Sequence, residues 1–282
     1  MRTLAIGICY FYPEKEYLQN DACIPIQVGY EETHIDMGIQ RDNEGDNRGN
    51  KHPYYSELSG LYWLWKNVDA EYKGLFHHRR AFTFRKEPMK SKLYFLYRKF
   101  RCVLAVLFKN KEFKTLHLVN VTSVEYKKNF NELIEELEQK CIRKYDMIVP
   151  TPAEFWPISN QRYFASVIEY HIFDLLKEII EEYWPEFNEY WKQTIDGRKL
   201  YFANISIMRS SIFNSYATFV FGVLDKLEDK LKTENYCVSF TDEKVLSRKF
   251  GYVSELLTNT FILYQRYNGL KIKELNIIMN ND

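Results

Sequence analysis

Short apolar runs alternate along this chain with longer patterns of helical period. Leu4–Tyr10 (LAIGICY) is almost uninterruptedly apolar, as expected of a strand covered on both faces, and Cys23–Gly29 (CIPIQVG) is a second β-like run. Residues 36–53 are polar and contain glycine, so a loop is predicted there. From Tyr54 to Asn67, apolar or aromatic residues at 54, 55, 58, 61, 62, 64 and 65 predict one helix with most of its surface buried. A strand over Tyr72–Phe76 stops at His77, His78, Arg79 and Arg80. Further on come a helix over Glu125–Lys140 and a strand over Tyr145–Val149 that ends at Pro150. Pro152 and Pro157 impose a loop. Tyr163–Trp184 reads as one long amphipathic helix stopped by Pro185, Ala203–Met208 as a strand, and Ser211–Glu228 as a helix opened by a serine cap. Glu243–Phe250 and Tyr252–Tyr264 read as two helices broken near Gly251. Strands alternating with helices predict an α/β fold with a mixed or mostly parallel sheet, and 282 residues suit a single domain over 1–282.

Residues 86–125 differ in character. Between Lys90 and Lys114 there are eight Lys or Arg and one Glu, mixed with Leu, Tyr, Phe and Val. One or two basic amphipathic helices are expected, inserted in the domain. They either pack as a hairpin with a solvated basic face or meet an anionic membrane or a lipid-linked acceptor.

Charge adds little elsewhere. The net value of +1 gives no reason to expect nucleic acid as a partner. Five scattered cysteines without a C-x-x-C pair argue against zinc and against a disulfide framework. The start, MRTLAIGICYFYP, reads as a strand rather than a signal peptide, and no run is long enough for a membrane span. A cytoplasmic protein is expected, peripheral at the inner membrane face if the basic segment meets lipid. The aromatic share of 17% fills a core first, although such rings also make platforms for sugars and bases.

The familiar nucleotide and hydrolase signatures are missing: no P-loop, no G-x-G-x-x-G, no G-x-S-x-G and no H-E-x-x-H. Asp-x-Asp, which many nucleotide-sugar transferases use to hold a metal on the diphosphate, is missing too. Arginine can neutralise a diphosphate bidentately without a metal, helped by Lys or His⁺. His77, His78, Arg79 and Arg80 stand where open α/β sheets bind ligands, beyond a strand's carboxyl end. They suit a diphosphate, or else pair with local carboxylates. In an extended segment His77 and Arg79 would face one way and His78 and Arg80 the other. Asp42, Asp46 and Asn47 in the preceding loop suit ribose or base contacts, or turn formation. Glu57 in the first turn of its helix can complement the dipole. Glu255 (GYVSELL) lies in an apolar setting that raises a carboxyl pKa, and is the candidate general base, or else an N-terminal helix carboxylate.

These blocks together resemble the family catalogued as domain of unknown function 4422. Its pattern runs Gly-Asp-Asn-Ile, then Lys-Asn-Pro-Tyr-Tyr-x-Glu-Leu-Thr-Gly-x-Tyr-Trp-x-Trp-Lys-Asn; Gly45–Asn67 here reads GDNRGNKHPYYSELSGLYWLWKN. A Gly-Leu-x-His-Tyr-Arg-Arg strand end corresponds to GLFHHRR (Gly74–Arg80), with His78 in the Tyr place. Tyr-Asp-x-Ile-x-Pro corresponds to Tyr145–Pro150, Asn-Met-Phe-Ile-Met to Asn204–Met208 (NISIM), and Gly-Phe-x-x-Glu-Arg-Leu to Gly251–Leu257. The blocks keep their order from about residue 2 to 276. The resemblance implies a GT-A-like, Rossmann-like mixed sheet flanked by helices. It implies a bacterial glycosyltransferase of capsule, lipopolysaccharide or exopolysaccharide assembly. Some family members are assigned as galactofuranosyltransferases. The expected donor is a nucleotide sugar, UDP-linked, carrying galactofuranose or another hexose, and the expected acceptor is a glycan or a lipid-linked glycan. Inversion at the sugar carbon is favoured. Donor contacts would come from Asp42, Asp46, Asn47, His77, His78, Arg79 and Arg80, acceptor contacts from Asn204 and Tyr252, and the base would be Glu255. No metal ligand is assigned, and Mn²⁺ or Mg²⁺ stays open. The alternative is a degenerate transferase that binds a glycan or a partner without turnover.

Overall fold

Arg2–Tyr10 forms β1, whose last seven residues are buried. Its continuous apolar run fits the centre of a sheet with both faces covered. A computed structural model describes residues 2–86, 118–155, 157–234 and 248–280, together with 93, 96, 97 and 100. The remaining strands are β2 (Cys23–Gln27), β3 (Gln40–Arg41), β4 (Ala70–His77), β5 (Arg80–Thr83), β6 (Leu118–Val121), β7 (Met147–Pro150), β8 (Ala153–Glu154), β9 (Lys199–Leu200), β10 (Ser206–Arg209) and β11 (Ile272–Asn280). The helices are α1 (Tyr30–Thr33), α2 (His52–Tyr55), α3 (Leu58–Asn67), α4 (Ser123–Lys140), α5 (Asn160–Phe164), α6 (Tyr170–Tyr183), α7 (Asn188–Asp196), α8 (Ser210–Thr233) and α9 (Lys249–Tyr267).

β3, β2, β1 and β4 lie side by side and parallel. β10 runs antiparallel between β4 and β7, and β7 pairs parallel with the first residues of β11. The later residues of β11 pair antiparallel with β5 and parallel with β6. The mixed α/β architecture expected from the sequence is present. One apolar cluster fills the face covered by α3, α6, α8 and α9, and a second fills the face covered by α4. The backbones of β4 and β10 approach closely at Gly74, where an added Cβ would stand 2.6 Å from the Ser206 carbonyl oxygen.

Several expected elements are revised. The helix predicted over Tyr54–Asn67 breaks at Ser56, whose φ of 51° stops α2 before α3 begins. The long helix over Tyr163–Trp184 is two helices. Ser159 caps α5 by accepting the Arg162 N–H at 3.3 Å, and the chain turns through residues 165–169, burying Ile168, before α6. No break occurs at Gly251, which lies inside the continuous α9. The segment predicted before it, over 243–247, lies outside the described residues. α8 opens at Ser210 without a side-chain cap. The loop predicted over 36–53 holds the short β3 and a 3-10 turn at Gly49–Lys51. Most of the basic segment predicted to be helical over 86–125 falls outside the described residues. Its end, however, is the strand β6, followed by Thr122, whose hydroxyl caps α4. Leu93, Leu96, Tyr97 and Phe100 are helical, and each is more than half exposed.

Candidate active site

The carboxyl end of β4 decides where the site forms. Because β10 is antiparallel to β4, with Ser206 opposite Leu75, the residues preceding β10 lie beside the end of β4. The amino-terminal part of α9 comes to the same place and packs against α2. Phe202–Ile205, Leu75–His77, Arg79, Arg80, Ser56, Glu57 and the start of α9 thus enclose one cleft of about 260 Å³. Pockets that bury a whole drug-sized ligand usually run about 300–1,000 Å³, so this cleft suits part of a larger ligand, such as a sugar with its phosphate.

His77 and Arg80 are cross-strand partners on either side of the two-residue turn His78–Arg79. The extended conformation expected for this quartet, with alternate side chains on opposite faces, is therefore replaced by a hairpin. The hairpin brings His77, Arg79 and Arg80 to the cleft together. His78 turns toward β1 instead. Its Nδ1 lies 3.2 Å from the Cys9 carbonyl oxygen, and its ring stacks on Tyr10 at 5.4 Å.

Neither histidine supplies the positive charge expected of it. Burial first, then the neighbouring His78 and Arg80, pushes the His77 pKa down to about 2. The Arg79 backbone N–H donates to His77 Nδ1 at 3.4 Å, which leaves the proton of the neutral ring on Nε2. His78 is also pushed down, chiefly by burial. Among the described residues, the cations that line the cleft are Arg79, Arg80 and Arg248. Arg80 is itself held below the ordinary guanidinium range, by burial and then by Arg79, while Glu255 and Glu57 oppose the shift.

Glu57 and Glu255 line the same cleft as the arginines, and both act on the charge of Arg80. Two consecutive left-handed residues, Ala203 (φ 80°) and Asn204 (φ 52°), hold the pair. The Ala203 N–H donates to Glu255 Oε1 at 3.3 Å. Asn204 Nδ2 donates to Glu57 Oε1 at 3.0 Å, to Ser254 Oγ at 2.9 Å and to the Gly251 carbonyl at 3.4 Å. Ser56 (φ 51°) and Arg248 (φ 63°) add two more strained positions at the rim. Strained backbone persists only where its surroundings over-determine it, and it gathers at functional sites. Tyr252 lines the cleft, and behind Glu255 the Tyr163 hydroxyl is pushed up to about 12 by burial and then by the Glu255 and Tyr252 charges.

Of the residues expected from sequence, the cleft gathers His77, Arg79, Arg80, Asn204, Tyr252 and Glu255. Asp42, Asp46, Asn47 and His78 are not among its lining. Asp42 is fully buried after β3, accepts the Gly29 N–H at 3.2 Å, and is pushed up chiefly by that burial. Asp46 accepts the Tyr62 hydroxyl at 3.1 Å, and Asn47 donates to the carbonyls of Asn43 and Gly45, so both stitch the loop. Sequence reasoning took Glu57 as a helix-dipole acid rather than a cleft residue, and passed over Arg248. Glu57 sits inside the YYSELSG block and Arg248 just before GYVSELL, so block membership was the available signal.

Among the described residues no group of three or more His, Cys, Asp or Glu could hold a metal ion. The cleft offers two carboxylates beside three arginines, a donor set that does not fit a divalent cation by itself. No described helix is long and apolar enough to cross a membrane.

Comparison with known proteins bears on the fold and the family. A solved structure titled "WbbM bifunctional glycosytransferase apo structure" superposes on all of this chain with a TM-score of 0.78 at 25% identity. The fold is accordingly GT-A-like. This chain spans 46% of that protein's length. No curated protein matches. The sequence model of the family described as "Domain of unknown function (DUF4422)" matches residues 6–266, and the chain belongs to that family.

Proposed function

We propose that this chain is a glycosyltransferase that moves a sugar from a nucleotide sugar to a bacterial surface glycan or its lipid-linked precursor. The observation that carries this reading is the cleft at the carboxyl end of β4 that is lined by Arg79, Arg80 and Arg248 together with Glu57 and Glu255. Likeness to a bifunctional glycosyltransferase supports it. The arginines suit a leaving diphosphate, because guanidinium binds phosphate bidentately and keeps its charge when partly buried. Neutral His77 adds an N–H donor without adding charge. The nucleotide, UDP in our reading, extends out of the cleft over the ends of β1 and β2, toward the loop that carries Asp42, Asp46 and Asn47.

In an inverting transfer the acceptor oxygen attacks the sugar carbon while that carbon's bond to the diphosphate oxygen breaks. Glu255 takes the hydroxyl proton, and the arginines receive the charge that develops on the diphosphate. Glu255 suits this role because it is largely buried, is held by the Ala203 N–H and lies beside Tyr252, a ring on which an acceptor sugar can rest. The Asn204 amide is committed to Glu57, Gly251 and Ser254, so Asn204 acts as a positioning residue in this scheme rather than as an acceptor contact. In this scheme the arginines carry the diphosphate charge, so no step requires a divalent cation.

A thermal-shift series with nucleoside diphosphates and nucleotide sugars tests the reading. A ligand at 100 times its Kd adds about 2.7 kcal/mol of stability. A shift with a nucleoside diphosphate that fades in Arg80→Ala supports the reading; no shift with any of them refutes it. Diphosphate binding without slow hydrolysis or transfer of any nucleotide sugar would instead favour the degenerate, non-catalytic alternative. Leu93, Leu96, Tyr97 and Phe100, exposed at helical spacing within a lysine- and arginine-rich stretch, favour peripheral contact with anionic membrane. Sedimentation with anionic vesicles at low salt, lost at high salt, checks this; equal binding to neutral vesicles argues against it.

A further inference from the structure

We propose that Glu57 determines donor specificity: with Glu255 it forms an acidic wall that accepts hydroxyls of a neutral transferred sugar and rejects a sugar bearing a carboxylate. The inference rests on the transferase reading above and names the substrate class of the same cleft.

Glu57 occupies the N-cap position of α3, yet its side chain makes no capping bond to that helix. A capping bond therefore does not account for its placement. Its carboxylate is carried across to the cleft, where Asn204 Nδ2 holds Oε1 at 3.0 Å. Two strained residues fix this arrangement, Ser56 immediately before Glu57 and Asn204 opposite it. The adjacent left-handed residue, Ala203, holds Glu255 in the same cleft at 3.3 Å. One dipeptide thus sets the spacing of both carboxylates, an arrangement that costs backbone strain and is over-built for a surface acid.

Charge decides the ligand class. Among the described lining residues, Arg79, Arg80 and Arg248 oppose Glu57 and Glu255, and His77 is neutral, so the cleft has a small positive excess. The two negative charges of a nucleotide sugar's diphosphate use that excess up. A hexuronate would bring a further negative charge into a cleft that holds two carboxylates, whereas a neutral hexose brings hydroxyls. Ionised carboxylates only accept hydrogen bonds, and each oxygen can take a sugar hydroxyl.

The test compares matched donors on the whole chain. Binding of UDP-glucose against UDP-glucuronate, and of GDP-mannose against GDP-mannuronate, is measured by calorimetry for wild type and Glu57→Gln. Glutamine keeps the shape and can still accept from Asn204. For wild type the neutral sugar of the pair that binds is expected to bind at least tenfold tighter than its uronate. In Glu57→Gln that ratio should shrink severalfold, mainly through tighter uronate binding. Equal affinities in wild type overturn the proposal, as does a ratio unchanged by Glu57→Gln with both donors weakened alike, which would make Glu57 structural only. Binding of UDP or GDP without a sugar preference overturns this inference and leaves the transferase reading standing. Failure of every nucleotide to bind overturns both.

Discussion

Replacing Asn204 tests the clasp that organises the cleft. The residue is buried at 2% exposure and sits at φ 52°, a region that Asn adopts at lower cost than Ala. Three acceptors share its amide, one of them the carboxylate of Glu57. Losing a hydrogen bond to a charged group costs about 1.5–3 kcal/mol, and losing a neutral one about 1 kcal/mol. Placing alanine in the left-handed region costs roughly 1–2 kcal/mol. With two amide hydrogens to lose, one to the carboxylate and one to the neutral acceptors, Asn204→Ala should therefore destabilise the protein by about 3.5–6 kcal/mol, a large share of the 5–15 kcal/mol typical of a domain. Asn204→Gly loses the same bonds but escapes the backbone penalty, so it should recover about 1 kcal/mol of that loss. Asn204→Asp sets a carboxylate against Glu57 and should be the worst of the three above pH 6. Urea denaturation followed by circular dichroism gives the three values, provided the m-value holds. Nucleotide-sugar binding should weaken in all three variants, because Glu57 is no longer held. A loss below about 1 kcal/mol for Asn204→Ala, or glycine no better than alanine, would refute the clasp and the strain assigned to it.

Arg79→Ala and Arg80→Ala should each weaken nucleoside-diphosphate binding by about 1.5–3 kcal/mol, read by calorimetry; wild-type affinity in both variants would move the diphosphate elsewhere. Glu255→Gln should lower kcat roughly 10²- to 10⁴-fold with donor affinity nearly unchanged, and near-normal turnover would make Glu255 structural. Activity should survive chelator, and full loss restored by Mn²⁺ or Mg²⁺ would overturn the arginine-only scheme. His77 should make folding pH-dependent. Its folded pKa is depressed to about 2, so the folded chain refuses a proton that the unfolded chain accepts below about 6.5. Its contribution is complete above pH 6.5 and is lost as the pH falls. Between pH 7.5 and 5.5 wild type should lose about 1.4 kcal/mol more stability than His77→Gln, in which His78 still titrates; parallel pH profiles would contradict this.

Much of the fold was legible in one dimension, because periodicity reports burial directly. The apolar run at Leu4–Tyr10 is the central strand β1, and the pattern of Glu125–Lys140 is α4 to within its first residues. The four residues at the end of β4 stood out because a strand that stops in a charged cluster is unusual, and three of them line the cleft. Glu255 and Asn204 were legible as members of blocks in a fixed order. The interruptions were not legible. The break at Ser56 and the left-handed pair Ala203–Asn204 follow from what packs around them, since none of these residues is a strong breaker by itself. The state of His77 was equally hidden. Its type suggests a cation, and only the surrounding burial and neighbouring charges make it neutral. Glu57 shows the divide most plainly. On its own helix it reads as an end-capping acid, and it becomes a cleft carboxylate only when β10, antiparallel to β4, brings Asn204 to it from 147 residues away in sequence. Local order of apolar and polar residues sets the elements. The pairing of distant strands sets which charges share one volume.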